Sequence, residues 1–370
     1  MIQSSNHFDI AIIGGGIAGL WAARHAVKRG ERVVLIEKRR IGYGASGGFL
    51  GALMPHMPDS WNKKKQYQYL GLSTLADTIS ELEADTGLSS GYRRCGRIMP
   101  IVKENHAELV ARRSEGASQN WDQSFTLTHS EPVGFLEWIN TSIAKYGVQY
   151  DTLAARINPR MYVKTLATYL KPRIEVVEGV GVEIIEMSAH GGTIQLSNDG
   201  SVSADRIVVA NGYEAYSLLQ PFMGELNREK PIGRGVKGQA VLVKYVHKDD
   251  LPIVYHDGAY VVPHADNLVA IGSTSENDWE KGAEREFDPE NMDFYRRAID
   301  LVPALADAPI IDRWAGVRPR NTLEQRGTDP FFGPVPGQEN LFALIGGFKI
   351  TLGLAHLDVL GGEIHNDWNV

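Results

Sequence analysis

The chain has 370 residues, 43% of them hydrophobic and 22% charged, which is long and apolar enough for a large buried core and two domains. With 45 acidic against 38 basic side chains its formal net charge is -7, which gives no general attraction to phosphate backbones or anionic lipid. Its single cysteine, Cys95, excludes an intramolecular disulfide and places the expected setting in a reducing, cytoplasmic compartment.

The run Phe8 to Ile13 is almost wholly apolar and reads as a buried parallel strand. Asp9 and four glycines interrupt the apolar stretch to Trp21, and no basic segment precedes it, so it reads neither as a secretory signal nor as a membrane span. "GGGIAG" follows at 14–19, and Ile17, Leu20, Ala23 and Val27 keep a helical period to Gly30. "RVVLIEK" is the next strand, closing on Glu37. This is a βαβ unit of about thirty residues, the size that the dinucleotide motif requires.

The motif assigns roles by chemistry. Gly14 permits the tight turn, Gly16 lets a pyrophosphate approach the main chain, and Gly19 lets helix and strand pack closely. Free N–H groups at Ile17 and Ala18 offer a positive helix end to phosphate. The Glu37 carboxylate accepts from ribose hydroxyls and repels a 2′-phosphate, favouring FAD or NAD over NADP. The basic runs Lys38–Arg40 and Lys63–Lys65 read as solvated loop.

"GASGGFLGAL" is a second loop of small residues. "STLADTISELEADTG" is a helix with Gly87 as C-cap, and "NPRMYVKTLATYL" is another, with Asn158 as N-cap and Pro159 in its first turn. "IEVVEGVGVEIIEM", "GTIQLSND", "ADRIVVANGY", "GQAVLVKYV", "GAYVVPHA" and "NLVAIGSTSE" read as strands. A helix near "PENMDFYRRAIDLVPAL" and the segment "DRWAGVRPRN" come next, and the chain finishes with a strand and a glycine-interrupted helix in "NLFALIGGFKITLGLAHLDVLGGEI". The fold class expected is α/β in two domains: a Rossmann-like nucleotide domain with a parallel sheet (1–90, 156–224 and 328–370) and a substrate domain with a mainly antiparallel sheet (91–155 and 225–327).

With the small-residue loop, "VGVEIIE", "ADRIVVANG", "WAGVRPR" and "GGFKITLGLA" in this order, the chain resembles the D-amino-acid oxidase superfamily of flavoenzymes from about residue 8 to 360, on its glycine oxidase and sarcosine oxidase branch. The resemblance implies non-covalent FAD, since no cysteine follows "RPR". It places Gly14, Gly16, Gly19, Glu37 and Lys38 at the cofactor's pyrophosphate and ribose, and Ala45, Ser46, Gly51 and Leu53 on the loop lining pyrophosphate and isoalloxazine. It puts Val182, Ala210 and Gly212 beside the adenine half, and Gly346, Gly347, Lys349, Thr351, Leu352 and Gly353 at a final loop and helix end near the flavin pyrimidine.

For the substrate, the resemblance implies that Arg318 binds a carboxylate with help from Lys349, and that Tyr255 and Tyr260 border the pocket. The planar fork of an arginine suits that bidentate task. The implied reaction oxidises the C–N bond of a small amine carrying a carboxylate, of the glycine, sarcosine or D-amino acid type, passing electrons to O2 or another acceptor.

The chain departs from the family pattern at Asn211 and Tyr213, and "NLVAIGST" carries no lysine where sarcosine oxidase has one, which leaves the acceptor open. Three other readings stand beside this one, one of them a flavin-binding protein with a structural or regulatory duty, opposed by the retained cations Arg318 and Lys349. A 2-hydroxy-acid dehydrogenase needs a base such as His256 or His356, and a tRNA-modifying flavin oxidoreductase is opposed by the acidic charge. The histidines show no metal-ligand spacing, so no metal is expected; the acidic charge argues against a nucleic-acid or membrane partner, and a homo-oligomer stays open.

Overall fold

The computed structural model describes residues 7–224, 230–322 and 330–346. In chain order its elements are β1 (His7–Ile13), α1 (Ile17–Lys28), β2 (Val33–Glu37), β3 (Ala52–Leu53), α2 (Lys63–Thr86), β4 (Arg97–Pro100), α3 (Ala107–Asn120), β5 (Leu127–Ser130), β6 (Val148–Asp151), β7 (Ala155–Arg156) and α4 (Pro159–Leu170). There follow β8 (Glu175–Glu178), β9 (Val182–Ser188), β10 (Gly191–Leu196), β11 (Ser201–Val209), α5 (Ala215–Leu219), β12 (Gly233–Lys244), β13 (Ile253–His256), β14 (Ala259–His264), β15 (Leu268–Gly272), α6 (Asp293–Leu301), β16 (Ile310–Asn321), β17 (Phe331–Pro334) and β18 (Leu341–Ile345).

The first sheet runs β17-β18-β11-β1-β2-β8, with β10 pairing the first half of β11 and β9 pairing β10. The strands β18, β11, β1, β2 and β8 are parallel, which buries both faces and explains why β1 and β2 carry nearly unbroken apolar runs. One face packs on Leu20, Trp21, Leu72, Leu75, Tyr162 and Leu166 of α1, α2 and α4. The other holds Phe8, Ile13, Ile194, Val209 and Tyr216.

The second sheet runs β16-β12-β15-β14-β13-β4-β6-β5 and is antiparallel except where β13 meets β4. Phe294, Ala298 and Leu301 of α6 cover one face with Val241, Val254, Val261 and Ile271 beneath them. On the opposite face Ala240, Val262 and Ala270 pack with Phe49 and Met54 from the loop beyond β2. The mixed α/β architecture, with a parallel and an antiparallel sheet, is the one expected from the sequence.

Local chemistry sets the boundaries. Asn158 Oδ1 caps α4 by accepting from the Arg160 and Met161 amides at 3.1 and 3.2 Å, with Pro159 in the first turn. Gly87 ends α2 in the left-handed region (φ +66°). The lysines 63–65 form the first turn of α2 instead of a loop, because Asn62 Oδ1 accepts from the Lys65 amide and starts the helix upstream of the apolar period. Among the described residues no helix is long and apolar enough to cross a membrane.

Candidate active site

A cleft of about 1250 Å³ lies between the sheets and collects residues from the ends of β1, β2, β11 and β18 and from β12, β14 and β16. Its position at the carboxyl ends of parallel strands is where such folds bind nucleotides. Gly14, Gly16, Ile17, Ala18, Glu37, Lys38, Ala45, Ser46, Gly51, Leu53, Val182, Ala210, Gly212 and Gly346 all line it, as do Tyr260 and Arg318. Gly347, Lys349, Thr351, Leu352, Gly353 and His356 lie outside the described residues.

The glycine turn is held by sterics. Gly14 has φ +109°, and a Cβ there would stand 2.6 Å from Asn211 Cα. A Cβ on Gly19 would fall 1.9 Å from the Gly14 carbonyl oxygen, so Gly19 packs the helix against the turn and does not itself line the cleft. The Ile17 amide, expected free for phosphate, is instead taken by Ser46 Oγ at 2.9 Å, because the small-residue loop folds onto the N-terminus of α1. Glu37 closes the other side: its Oε2 accepts the Gly15 amide at 2.7 Å and its Oε1 the Arg39 amide at 2.9 Å. Each carboxylate oxygen keeps a further lone pair for a ribose hydroxyl.

Three polar atoms on cleft-lining residues are shielded from solvent and have no hydrogen-bond partner in the protein: Asn211 Oδ1, Tyr216 Oη and Trp314 Nε1. The cradle itself is the better mark of a ligand: a Cβ at Gly14 would strike the Asn211 backbone, and the Glu37 carboxylate faces the turn, a wall shaped for a dinucleotide. FAD, with its adenine, ribose, diphosphate and isoalloxazine groups, fits this donor and acceptor set.

On the substrate side, Trp314, Gly316 and Arg318 share one face of β16. A Cβ on Gly316 would lie 2.3 Å from the Trp314 ring and one on Gly48 3.3 Å from it, so two glycines make the space the indole fills. Arg318 Nη2 donates to the Thr274 carbonyl at 2.9 Å, and among the described residues the guanidinium forms no salt bridge. Burial pulls its pKa below the ordinary value, partly offset by Tyr260 and Glu276. Tyr255 stands opposite Tyr260 in the β13–β14 register with ring centroids 4.8 Å apart, and does not line the cleft. Burial raises the Tyr260 hydroxyl to about 12, which keeps it a proton donor.

Several cleft residues were not singled out from the sequence: Tyr43, Phe49, Leu50, Gln239, Arg285 and Trp314. Trp314 was accessible to strand alternation, lying four residues before Arg318 on the same face. The run Lys38–Arg40, expected as solvated loop, places Lys38 and Arg39 on the cleft wall. Among the described residues no histidine lines it. His256 is partly buried, its pKa lowered by burial, and it does not line the cleft. His264 is buried beneath the loop, its Nε2–H donating to the Phe49 and Leu50 carbonyls at 2.9 and 3.2 Å. Cys95 is buried, its thiol raised to about 11 by desolvation, so it is inert. Among the described residues no His, Cys, Asp and Glu cluster is suited to a metal ion.

Fold and cleft together define a nucleotide-dependent enzyme of the two-sheet flavoprotein type. The family model described as FAD-dependent oxidoreductase (DAO) matches residues 9–357, and the chain belongs to that family. It is a FAD-dependent oxidoreductase. The chain is 28% identical over 367 residues to the bifunctional protein ThiO/ThiG of Synechocystis sp., covering 94% of this chain but only about half (50%) of that relative's length. It is 27% identical over 355 residues to a glycine oxidase of Pseudomonas putida, covering 94% of this chain and 91% of the relative. The crystal structure of glycine oxidase from Geobacillus kaustophilus superposes with a TM-score of 0.84 at 23% identity, over 98% of this chain and 96% of that one, a likeness of fold.

Proposed function

We propose that the chain oxidises the C–N bond of a small amine carrying a carboxylate, such as glycine, sarcosine or a D-amino acid. The observation that carries this reading is Arg318: a guanidinium on the cleft wall, tied to one carbonyl and to no described carboxylate, has donors left for a bidentate carboxylate. Relatives named glycine oxidase support the same class at 27% identity.

Bound FAD supplies the two-electron acceptor for the oxidation. Arg318 holds the carboxylate and so fixes the α-carbon, which removes much of the entropic part of the barrier. Tyr260, neutral at physiological pH, donates a hydrogen bond in the same pocket, and Tyr255 sets its orientation. Lys349 is assigned as the second cation on the substrate. The amine loses hydride and a proton to become an imine, and water then splits the imine to oxo acid and ammonia or a smaller amine. The electron pair passes on to O2, giving H2O2, or to another acceptor. No basic side chain is needed when the amine binds unprotonated. The proposal includes the two-domain partition read from the sequence and a cytoplasmic setting.

The test is anaerobic mixing of the flavin-loaded protein with glycine, sarcosine, D-alanine and 2-hydroxy acids while the flavin absorbance is followed. Bleaching by an amine supports the reading, and bleaching by hydroxy acids alone refutes it. Arg318→Ala is expected to raise KM for the amino acid far more than it lowers kcat, and an unchanged KM removes its assigned role.

A further inference from the structure

The loop between β15 and α6, residues 273–292, leaves the second sheet and reaches across the cleft to the first. Trp279 Nε1 donates to the Gly235 carbonyl at 3.1 Å, and the indole meets the Tyr213 ring edge-on with centroids 5.6 Å apart. The Tyr213 hydroxyl donates to Glu284 Oε1 at 3.1 Å. Arg285 Nη1 donates to the Tyr43 carbonyl at 3.0 Å. One loop is thereby fastened both to the segment after β11 and to the loop after β2.

Around Tyr43 positive charge accumulates. The guanidinium carbons of Arg39, Arg285 and Arg40 lie 4.5, 5.2 and 5.6 Å from its ring centroid. Arg160 adds a fourth charge near Arg285 and pairs with Asp312 at 3.2 Å. Among the described residues Arg39, Arg40 and Arg285 form no salt bridge, and the Glu284 carboxylate, which Arg39 helps hold in its charged form, offsets only part of their charge. Ring faces offset part of the repulsion among three guanidiniums, but an anion offsets far more. Arg39, from the segment after β2, and Arg285, from the 273–292 loop, both line the cleft with Gly16, Ser46 and Glu37.

We propose that Arg39 and Arg285 form a two-sided clamp on the diphosphate of FAD, so that cofactor binding ties the 273–292 loop to the nucleotide sheet. The N-terminus of α1 supplies the positive end of its helix dipole from below, and the two arginines add charge beside it. Arg285 belongs to the second sheet's loop, so the diphosphate bridges the walls of the cleft. Tyr213 and Trp279 position the loop and touch no phosphate.

The experiment measures FAD affinity of the holoprotein by flavin fluorescence on dilution, with displacement by ADP and by adenosine. Arg285→Ala and Arg39→Ala are each expected to weaken FAD about tenfold or more, the scale of a charge-assisted hydrogen bond. Each is also expected to reduce the preference for ADP over adenosine while adenosine binds as before. Retained adenosine binding shows the nucleotide fold to be intact, and Arg39, being exposed, is the variant least apt to disturb folding. Native FAD affinity in both variants overturns the proposal. Equal loss of ADP and adenosine also overturns it, because the arginines would then be structural.

Discussion

Arg318 lies across Gly238. A Cβ at residue 238 would stand 3.1 Å from Arg318 Nη2 and 3.1 Å from the Thr274 carbonyl that receives it, so the glycine in β12 gives the guanidinium its path into the cleft. The residue that sets the arginine's direction therefore sits on the neighbouring strand, where Val236 is the register partner of Arg318.

Gly238→Ala is expected to push the guanidinium off the Thr274 carbonyl while leaving the flavin site intact. KM for the amino acid should rise about tenfold or more, since small misplacements of an anchoring group are costly, with flavin content and absorbance unchanged. Steady-state kinetics on the purified variant decide it. A native KM would show that the guanidinium relaxes freely and that Gly238 is incidental.

Gly19 and Gly14 show why the nucleotide turn admits no side chain at the third glycine. With the Gly14 oxygen 1.9 Å from the would-be Cβ, Gly19→Ala forces α1 away from the turn. Overpacking of this kind costs about 1–3 kcal/mol. The variant is expected to lose that much stability in denaturant unfolding and to be purified with little FAD. Full flavin occupancy would contradict the steric argument.

Arg97 and Asp151 form a buried ion pair on neighbouring strands β4 and β6, with Nε 2.6 Å from Oδ2 and the carboxylate inaccessible to solvent. The Ala154 amide donates to Asp151 Oδ1 at 2.7 Å. Removing one partner of such a pair leaves an uncompensated buried charge and costs about 3–5 kcal/mol. Asp151→Asn is expected to lose that amount, while Arg97→Met with Asp151→Leu loses less. Urea unfolding of the single and double variants compares the two, and a single variant as stable as the native chain would refute the role of the pair.

The nucleotide half was legible because its chemistry is local: Gly14, Gly16, Gly19 and Glu37 lie within one βαβ unit, and sterics allow few alternatives at those positions. Asn158 and Gly87 were legible for the same reason, each cap being set within a few residues. The substrate half was not. Trp314 enters the cleft because Gly48, far away in sequence, leaves room for it, and Arg285 reaches Tyr43 across 242 residues. Strand alternation puts Trp314 on the face of Arg318, but the partners Gly48 and Tyr43 have no signature in spacing. The helix α3 and the strands β4 to β6 were missed because they are short or carry many polar residues, and only the second sheet makes them regular.

His264 links protonation to the same junction. The buried ring donates from Nε2 to two carbonyls of the cleft loop, and its Nδ1 has no partner, so a second ring proton would have no acceptor. Burial lowers its pKa from 6.5 to about 4. A base whose folded pKa is depressed leaves stability untouched above its unfolded value. Stability then falls as the pH drops from about 6.5 to about 4, because only the unfolded chain takes up the proton. Below about 4 the loss is constant, at roughly 3 kcal/mol by the conversion of 1.36 kcal/mol per unit. At pH 5 the native chain should have lost about 2 kcal/mol from this group. His264→Gln keeps a donor without a titrating ring and should lack that component. Urea unfolding of both proteins at pH 7.5 and pH 5 isolates it, since other groups titrate alike in the two, and equal losses would show that His264 is not the group responsible.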